Sequence, residues 1–444
     1  MHSVAAYRDY LEQGGFDHVF SHIHSGSRIE ESRQRMRDLL QCMSEQFDGQ
    51  KICFASAPGR TELGGNHTDH NHGHVLAAAV NLDCLADFSK SKDNMVTIIS
   101  EGYDPIRVDI SDTHPRVEEK ESSAAIVRGV ADGFRKLGLN VGGFNACVHS
   151  IIPAGAGLSS SAAFEVLIGR IFSYLYNGRK ISPLEVARIA KRAENIHFGK
   201  PCGFMDQMAC SFEGILSIDF NNPEQPGVTS VQPGFDYEAG KGFYGTGYRL
   251  CVINTGGSHA DLTPDYAAIP AEMSQAAKLC GQDQAKGLTL DRILENIDLI
   301  RTKVGDRAVL RLFHFINEDR RALQQAEALT TGDMSRFLRL VAESSRSSSD
   351  LLQNCFSPNT PKTQPIPLAL TLTEQILGTR GVGRVHGGGF AGTIQTYVHN
   401  SDFEQYCQAM EKVFGINSLI ELSIRQPGNE YLTPEQQHIT KSGE

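Results

Sequence analysis

The sequence predicts an α+β protein of two domains, and three observations support this prediction. Between Lys51 and Ile99, short apolar runs are separated by Gly, Asn and Asp, which is typical of strands joined by turns. Residues 164–175 instead carry apolar side chains at helical spacing. Pro and Gly interrupt these patterns in residues 221–227 and 239–247. The interruptions indicate a domain boundary near residues 225–245.

The elements before the boundary can be placed in order. Residues 144–152 (FNACVHSII) alternate as a strand does, and Pro153 ends the strand. The apolar stripe after the next turn predicts a helix that ends near Gly178. SPLE at residues 182–185 is a capping box with Pro at the first helical position. A second helix is therefore predicted from this box to about Phe198.

After the boundary, RLCVINT predicts a strand, residues 267–355 predict long helices, and TIQTYV predicts a strand after the glycine-rich HGGGFAG. We therefore divide the chain into a helical lead-in over residues 1–50, an N-terminal domain over 51–235 and a C-terminal domain over 236–444. Charged and apolar positions of the lead-in alternate at helical spacing. We expect it to pack on the N-terminal domain or on a partner chain, and the oligomeric state stays open.

Composition narrows the class of protein. No apolar run in the 444 residues approaches a length of eighteen residues, so a membrane span is not expected. The N-terminus has no apolar segment behind basic residues, so a secretory signal is not expected either. The net charge is −10 and no Lys/Arg stripe is present, which argues against nucleic acid. Ten cysteines without a CxxC pair argue against a zinc ribbon or a disulfide framework. We expect a cytoplasmic protein with reduced thiols.

The segment IIPAGAGLSSSAAFEV, residues 151–166, predicts a strand end, a Gly/Ser turn and a helix N-terminus. That order builds an anion site from backbone N–H groups and the helix dipole, and it suits a phosphate. The segment is neither a Walker A loop, which needs G-K-[ST], nor the dinucleotide GxGxxG. On the turn alone, a serine-rich helix cap is an equally good interpretation.

Residues 59–74, GRTELGGNHTDHNHGH, place four histidines and two acids beside an arginine. They could form a metal site, a loop that tolerates histidine, or the wall of a pocket for a polar substrate. The spacing His-x2-His-x-His-x-His is not a standard zinc pattern, which disfavours the metal. We expect His70, His72 and His74 to be polar-face residues at the entry of a strand.

Four segments together resemble the motifs of the GHMP kinases, the superfamily of galactokinase, homoserine kinase, mevalonate kinase and phosphomevalonate kinase. PAGAGLSSSAAFEV resembles the phosphate motif Pro-x-Gly-x-Gly-Leu-x-Ser-Ser-Ala. APGRTELGGNHTDHNHG resembles the galactokinase signature Gly-Arg-Val-Asn-Leu-Ile-Gly-Glu-His-Thr-Asp-Tyr-Asn. PCGFMDQMACSF resembles Cys-Gly-Ile-Met-Asp-Gln, and GRVHGGGFAGTIQ resembles the third, glycine-rich motif. The motifs occur in family order over residues 57 to about 396.

This resemblance implies the two-domain GHMP kinase fold, with a ribosomal protein S5 domain 2-like N-terminal domain and a ferredoxin-like C-terminal domain around a cleft. It implies an ATP-dependent sugar 1-kinase that phosphorylates the anomeric hydroxyl of galactose or a close relative. The partners would be a small-molecule sugar and ATP with Mg²⁺. A non-catalytic sugar-sensing regulator is the alternative, which the intact Ser160, Ser161 and Ala162 disfavour.

The resemblance also implies roles for individual residues. Asp206 would be the base or positioner of the anomeric hydroxyl, and Arg60 would stabilise the charge that develops on transfer. Mg²⁺ would be held by Ser161 and Glu194. Sugar contacts would come from Asn66, His67, Thr68, Asp69, Gly203 and Tyr266. ATP contacts would come from Ser100, Gly155, Ala156, Gly157, Leu158, Ser159, Ser160 and Ser161, and the third motif is Gly387, Gly388 and Gly389.

The sequence departs from the galactokinase signature at several positions. The signature's glutamate before the histidine is replaced by Asn66, and its Val-Asn by Thr61-Glu62. Gly64 replaces isoleucine and His70 replaces tyrosine. An amide at position 66 does not repel an anion, so a galacturonate 1-kinase is an alternative to a galactose-type kinase. No cation near Asn66 except a histidine can be named from the sequence, which favours the galactose-type hydroxyl substrate.

Overall fold

A computed structural model describes most of the chain, namely residues 1–47, 51–153, 155–200, 202–235, 242–257, 262–390 and 392–434. It shows a mixed α+β fold, as the sequence predicts. The strands within these ranges are β1 (His2–Ser3), β2 (Lys51–Gly64), β3 (His74–Lys90), β4 (Met95–Ser100), β5 (Ile106–Asp109), β6 (Phe144–Ser150), β7 (Ile215–Asp219), β8 (Gly227–Ser230), β9 (Tyr248–Asn254), β10 (Gly381–Val385), β11 (Thr393–His399), β12 (Leu419–Leu422) and β13 (Tyr431–Leu432).

The α-helices in the same ranges include the two that are predicted after the Gly/Ser turn. They are α1 (Val4–Glu12), α2 (Asp17–Ile23), α3 (Ile29–Gln46), α4 (Ser123–Lys136), α5 (Ser160–Tyr176), α6 (Pro183–Arg192), α7 (Met205–Phe212), α8 (Thr263–Leu279), α9 (Leu290–Lys303), α10 (Asp306–Thr330), α11 (Met334–Ser347), α12 (Pro365–Leu377) and α13 (Phe403–Phe414). The predicted capping box starts α6, where Ser182 and Glu185 cap each other's backbone N–H groups. A π-helical turn over Ala193–Phe198 then carries the helix to its predicted end.

The larger sheet follows the order β1-β2-β3-β6-β4-β5 within the described residues, with β7 and β8 on the other half of β3. Its pairs are antiparallel except β4 with β6. The long β3 is buried over nearly its whole length, because helices cover both faces of the sheet at this point. The smaller, antiparallel sheet has the order β10-β11-β9-β12 and packs against α12 and α13.

The C-terminal segment returns to the first sheet after leaving the second. Tyr431 pairs with Ala55 of β2, and Ile424 bridges Val80 of β3. The division at residues 235 and 236 stays a prediction, since residues 236–241 lie outside the described residues. The second sheet is built within residues 248–422, and the chain that follows it completes the first.

The lead-in is helical, as expected, and it packs on the first sheet. Side chains of α1, α2 and α3 form one apolar cluster with Ile52, Phe54, Leu85 and Leu432. Strand β1 adds to β2 at the edge of the sheet. The lead-in is therefore part of the N-terminal core. Within the described residues, no helix is both long and apolar enough to cross a membrane.

The expectation of ten reduced thiols is wrong for two of them, because Cys42 and Cys147 form a disulfide. Cys42 lies on α3 and Cys147 on β6, 105 residues apart in sequence. No spacing motif can reveal such a pair, since it arises only when α3 packs against the sheet. The other eight cysteines are free thiols, and most of them are buried as the composition suggests.

Removal of this crosslink should destabilise the protein. We expect Cys42→Ser to lower the free energy of unfolding by about 2–4 kcal/mol, because the bridge closes a long loop in the unfolded chain. Urea unfolding without reductant measures the difference, with Cys407→Ser, a free thiol, as the matched control. In dithiothreitol the wild type and Cys42→Ser should unfold together. Alkylation of all ten cysteines in unreduced, denatured protein would contradict the bridge.

Candidate active site

The predicted phosphate loop lies between β6 and α5 and is docked against β2. The backbone N–H of Arg60 donates to the carbonyl of Leu158 at 3.1 Å, and the Arg60 guanidinium donates to the carbonyl of Gly157. Ser160 begins α5, and Ser161 is exposed in its first turn. The loop therefore presents a helix N-terminus and an exposed hydroxyl beside Arg60, an arrangement that suits a phosphate.

Ser159 occupies the N-cap of α5 but does not cap it. Its backbone lies in the left-handed region at φ 58°, and its side chain makes no capping hydrogen bond. The hydroxyl donates instead to Oδ2 of Asp206. The Ser159 side chain therefore binds a carboxylate of α7 instead of capping α5, and this bond connects the phosphate loop directly to α7.

Arg60 and Asp206, the two residues to which the resemblance assigns catalytic roles, form an ion pair. Arg60 Nε donates to Asp206 Oδ1 at 2.7 Å; the arginine side chain is 7% exposed and the aspartate side chain 35%. Burial raises the pKa of Asp206, but Arg60 and the Ser159 hydroxyl outweigh that effect and hold it below the ordinary value of 3.8. Asp206 is therefore ionised at neutral pH, and about a third of its side chain is exposed to solvent.

A second group of carboxylates lies behind this pair. The Gln207 amide donates to Glu194 at 2.8 Å and to Glu165 at 3.1 Å, and both acids are buried. Burial and the nearby Glu194 carboxylate raise the pKa of Glu165 well above its ordinary value. Lys200 Nζ lies 3.3 Å from Glu194 and is mostly exposed. Glu194 is thus a buried carboxylate, and one of its two partners, the exposed Lys200, can move away. The sequence alone did not suggest Glu165.

Asn66 is fully buried and its amide is engaged by the protein. Nδ2 donates to Glu62 Oε1 at 3.1 Å and to the carbonyl of Gly387 at 2.8 Å. Oδ1 accepts from Asn354 Nδ2 at 2.9 Å, and the Asn66 backbone carbonyl accepts from His314 Nε2 at 2.9 Å. The side chain thus ties the signature loop to the third motif, and it leaves no unused amide group for a sugar.

The three residues after Asn66 differ in their surroundings. His67 Nε2 donates to the carbonyl of Gly388 at 2.9 Å, and burial together with the nearby His70 lowers its pKa to about 4. The Thr68 hydroxyl is buried against the carbonyls of Gly65 and His74. Asp69 Oδ2 lies so close to Gly203 that a Cβ there would be 2.1 Å away. The structure therefore brings Asp69 and Gly203 together, while Thr68 holds the loop.

The histidines further along do not line a strand, which corrects one expectation. His70 lies in a short 3-10 turn over Asp69–Asn71, and His72 follows it at φ 65°. Only His74 is in β3, where its Nδ1 lies 2.9 Å from Asp319 Oδ1. A turn replaces the strand entry because the chain reverses between β2 and β3 over only nine residues.

The third motif packs tightly against Tyr266. The tyrosine hydroxyl donates to the carbonyl of Gly389 at 2.8 Å, and a Cβ on Gly388 would lie 2.4 Å from the ring. Glycine at position 388 therefore lets the ring approach the backbone. Ser100, in contrast, ends β4 with its hydroxyl on the carbonyl of Val148, and its ATP contact stays a prediction.

Sequence reasoning missed a polar contact between the two sheets beside this motif. Thr61 Oγ1 lies 3.0 Å from His386 Nε2 and accepts from Gln395 Nε2 at 2.7 Å. Glu62 pairs with Arg384, and both side chains are almost fully buried. The only signal in the sequence was the pair of polar residues Thr61-Glu62 where the signature has Val-Asn.

Gly203→Ala should weaken sugar binding specifically. The new methyl group would force the Asp69 carboxylate to rotate away, and Asp69 is a predicted sugar contact. We expect the KM for the sugar to rise by about tenfold or more, the equivalent of at least ~1.4 kcal/mol, with the KM for ATP unchanged. Gly227→Ala, whose Cβ would make only an ordinary contact, is the control. A change in the KM for ATP alone would contradict the assignment.

Comparisons with known proteins find similarity to GHMP kinases. The family model "GHMP kinases N terminal domain" matches residues 125–214, and "Galactokinase galactose-binding signature" matches residues 43–90. A galactokinase of Glaesserella parasuis serovar 5 (strain SH0165) is 28% identical over 397 residues, covering 88% of this chain and 95% of that protein. A galactokinase of Actinobacillus pleuropneumoniae is 29% identical over 375 residues, covering 82% and 91%.

Solved structures share the fold at lower identity. Lactococcus lactis galactokinase complexed with galactose matches with a TM-score of 0.73 at 22% identity, covering 87% of this chain and 97% of that one. Methanococcus jannaschii mevalonate kinase matches with a TM-score of 0.58 at 14% identity, covering 86% and 100%. The family matches and the curated relatives show that this chain is a phosphotransferase that carries a GHMP kinase N-terminal domain and a galactokinase galactose-binding signature, and that it is similar to galactokinases along most of its length.

Proposed function

We propose that the protein is an ATP-dependent sugar 1-kinase that phosphorylates the anomeric hydroxyl of galactose or a close neutral relative. One observation carries the proposal: Asp206, the predicted acceptor for the sugar hydroxyl, is bonded to Arg60 and Ser159, and both of these also belong to or touch the phosphate loop. One hydrogen-bonded cluster therefore connects the proposed acceptor of the sugar hydroxyl, Asp206, to the predicted phosphate loop. Phosphoryl transfer needs mainly this positioning and charge stabilisation.

Each residue of the cluster has a chemical task in this proposal. Asp206 is ionised, so it can accept a hydrogen bond from the anomeric hydroxyl and orient its oxygen for in-line attack. Arg60 keeps Asp206 ionised and places positive charge beside the loop, where negative charge develops during transfer. The first turn of α5 offers backbone N–H groups and the exposed Ser161 to the phosphates.

ATP in such a site carries Mg²⁺, which neutralises the phosphate oxygens. Within the described residues there is no cluster of three or more side chains that could hold a metal ion alone. A cation that arrives on phosphates needs only one or two protein oxygens, and Ser161 and Glu194 are of the required kind. Glu194 fits this task because the lysine on its Oε1, Lys200, has a largely exposed side chain that can move.

The buried charges favour a neutral sugar. The galacturonate alternative needs a cation beside position 66, and Arg384 lies there, but Glu62 already neutralises it. A second buried pair, Arg321 with Glu318, is also balanced. No unpaired positive charge is therefore left among these residues for a sugar carboxylate, whose desolvation would be costly.

The proposal is tested with purified protein, Mg²⁺-ATP and galactose, galacturonate, fucose or glucose, each alone. ADP release measures turnover, and ³¹P NMR of the product identifies the phosphorylated oxygen. We expect galactose to be phosphorylated on the anomeric oxygen and to exceed galacturonate in kcat/KM. Sugar binding without sugar-dependent ADP release would instead support the regulator. Phosphate on any other hydroxyl would reject the proposed chemistry.

A further inference from the structure

Glu62 is the centre of a buried network that links three parts of the fold. Its Oε1 accepts from Asn66 Nδ2 at 3.1 Å and from the Arg384 guanidinium. Its own backbone carbonyl accepts from Gln395 Nε2 at 2.9 Å. Asn66 in turn donates to Gly387 of the third motif. Glu62 therefore fixes β2, the signature loop and the second sheet relative to one another.

The charge of this network is carried by one ion pair. Arg384 is fully buried, and within the described residues its Nε and Nη1 atoms make no hydrogen bond. Burial raises the pKa of Glu62, and Arg384 acts against that rise. The pair keeps a full guanidinium charge neutral inside the protein; without the carboxylate, the arginine would need another anion.

Compared with the galactokinase signature, the chain carries two linked replacements rather than one. The signature has an amide at the position of Glu62 and a carboxylate at the position of Asn66, and here the two groups are exchanged. The exchanged side chains are hydrogen-bonded to each other. The signature and this chain therefore each have one carboxylate at these two positions. Asn66 considered alone suggests that the negative charge is lost, but Glu62 supplies it.

We infer that Glu62 is a specificity-determining positioning residue: it holds Asn66 against the third motif and neutralises the buried Arg384, so that no unpaired positive charge is available to a sugar carboxylate and the protein takes a neutral hexose and rejects its uronic acid. This inference rests on the proposed function. Glu62 acts through Asn66 and Arg384 rather than through the reacting atoms. Positions 62 and 66 therefore form one unit, and a change at either position alone unbalances it.

The decisive variant is Glu62→Gln, which keeps the shape and removes the charge. The glutamine oxygen can still accept from Asn66 and Arg384, while the guanidinium is left without a neutralising charge. We expect the ratio of kcat/KM for galacturonate to that for galactose to rise by about tenfold, because a charge of one unit several ångströms away acts on the carboxylate. The KM for ATP should stay unchanged. If Glu62 had only a structural role, kcat/KM would fall by the same factor for both sugars and the ratio would stay unchanged.

Two further variants test whether the positions form one unit. Asn66→Glu puts a second carboxylate against Glu62 and should cost activity with both sugars at least tenfold. The double variant Glu62→Asn/Asn66→Glu restores one carboxylate and should regain at least tenfold over Asn66→Glu, with the preference for galactose retained. Calorimetry of both sugars without ATP measures the ratio of their dissociation constants independently of turnover. Thermal unfolding identifies any variant that fails to fold.

The outcomes separate this inference from the proposed function. If the wild type turns over no hexose, the proposed kinase activity is rejected. The ratio of galacturonate binding to galactose binding, compared between the wild type and Glu62→Gln, still decides the role of Glu62. A folded Glu62→Gln with an unchanged sugar ratio overturns the inference. A double variant no better than Asn66→Glu overturns the coupling. If Glu62→Gln does not fold, the double variant alone decides.

Discussion

Asp206→Asn should remove turnover almost completely while leaving the fold intact. We expect kcat to fall by about a thousandfold, within the range typical for the loss of a positioned acid or base. Asparagine can still accept from Arg60, so the neighbouring loop is held, but it cannot take the proton of the sugar hydroxyl. ADP release at saturating sugar and ATP measures the loss. Thermal unfolding of the same variant establishes that it is folded.

The matched control is Asp298→Asn, which changes an exposed aspartate on α9 and should leave kcat unchanged. The pH profile adds a second check. Because the pKa of Asp206 lies below 3.8, the carboxylate stays ionised as the pH falls through the neutral and mildly acidic range. The wild type should therefore show no acidic loss of kcat/KM from this group between pH 7 and pH 5. Undiminished turnover by Asp206→Asn would show that another group accepts the proton.

Local features of the fold were predictable because they depend on neighbouring residues. The capping box of α6 and the apolar stripe of α5 both lie where the sequence pattern puts them. Each is determined within one or two turns, so its physical basis is visible in a short segment. The Gly/Ser turn before α5 belongs to the same class of feature.

Contacts between distant segments could not be read from the sequence. Asn66 was expected to face the sugar, yet its partners include Gly387 and Asn354, 321 and 288 residues away. The disulfide between Cys42 and Cys147 likewise depends on the packing of α3. A polar residue in a motif can serve a ligand or the protein, and only its neighbours in space decide which.

A buried ion network beneath the lead-in leads to the prediction of largest effect on stability. Asp83 of β3 is fully buried and contacts Arg35 of α3 at 2.9 Å and His24 at 3.1 Å. Asp83 also accepts a hydrogen bond from the Ser56 hydroxyl. The Ser56 oxygen in turn accepts a hydrogen bond from Arg425 Nη1 at 2.5 Å. Burial alone would raise the pKa of Asp83, but His24 and Arg35 hold it well below its ordinary value. The carboxylate is therefore charged and is the common partner of the lead-in and the sheet.

Asp83→Asn should lower the free energy of unfolding by about 3–5 kcal/mol, because it leaves buried guanidinium groups without their carboxylate. Urea unfolding at pH 7 measures this loss. Asp17→Asn is the matched control in the lead-in: it breaks the partly exposed pair with Arg33, and such pairs contribute at most about 1 kcal/mol. Since α3 is anchored at this point, the lead-in of Asp83→Asn should also become sensitive to proteases before the rest of the chain. Equal stability of the two variants would show that the network is neutral to folding, and that the apolar cluster alone holds the lead-in.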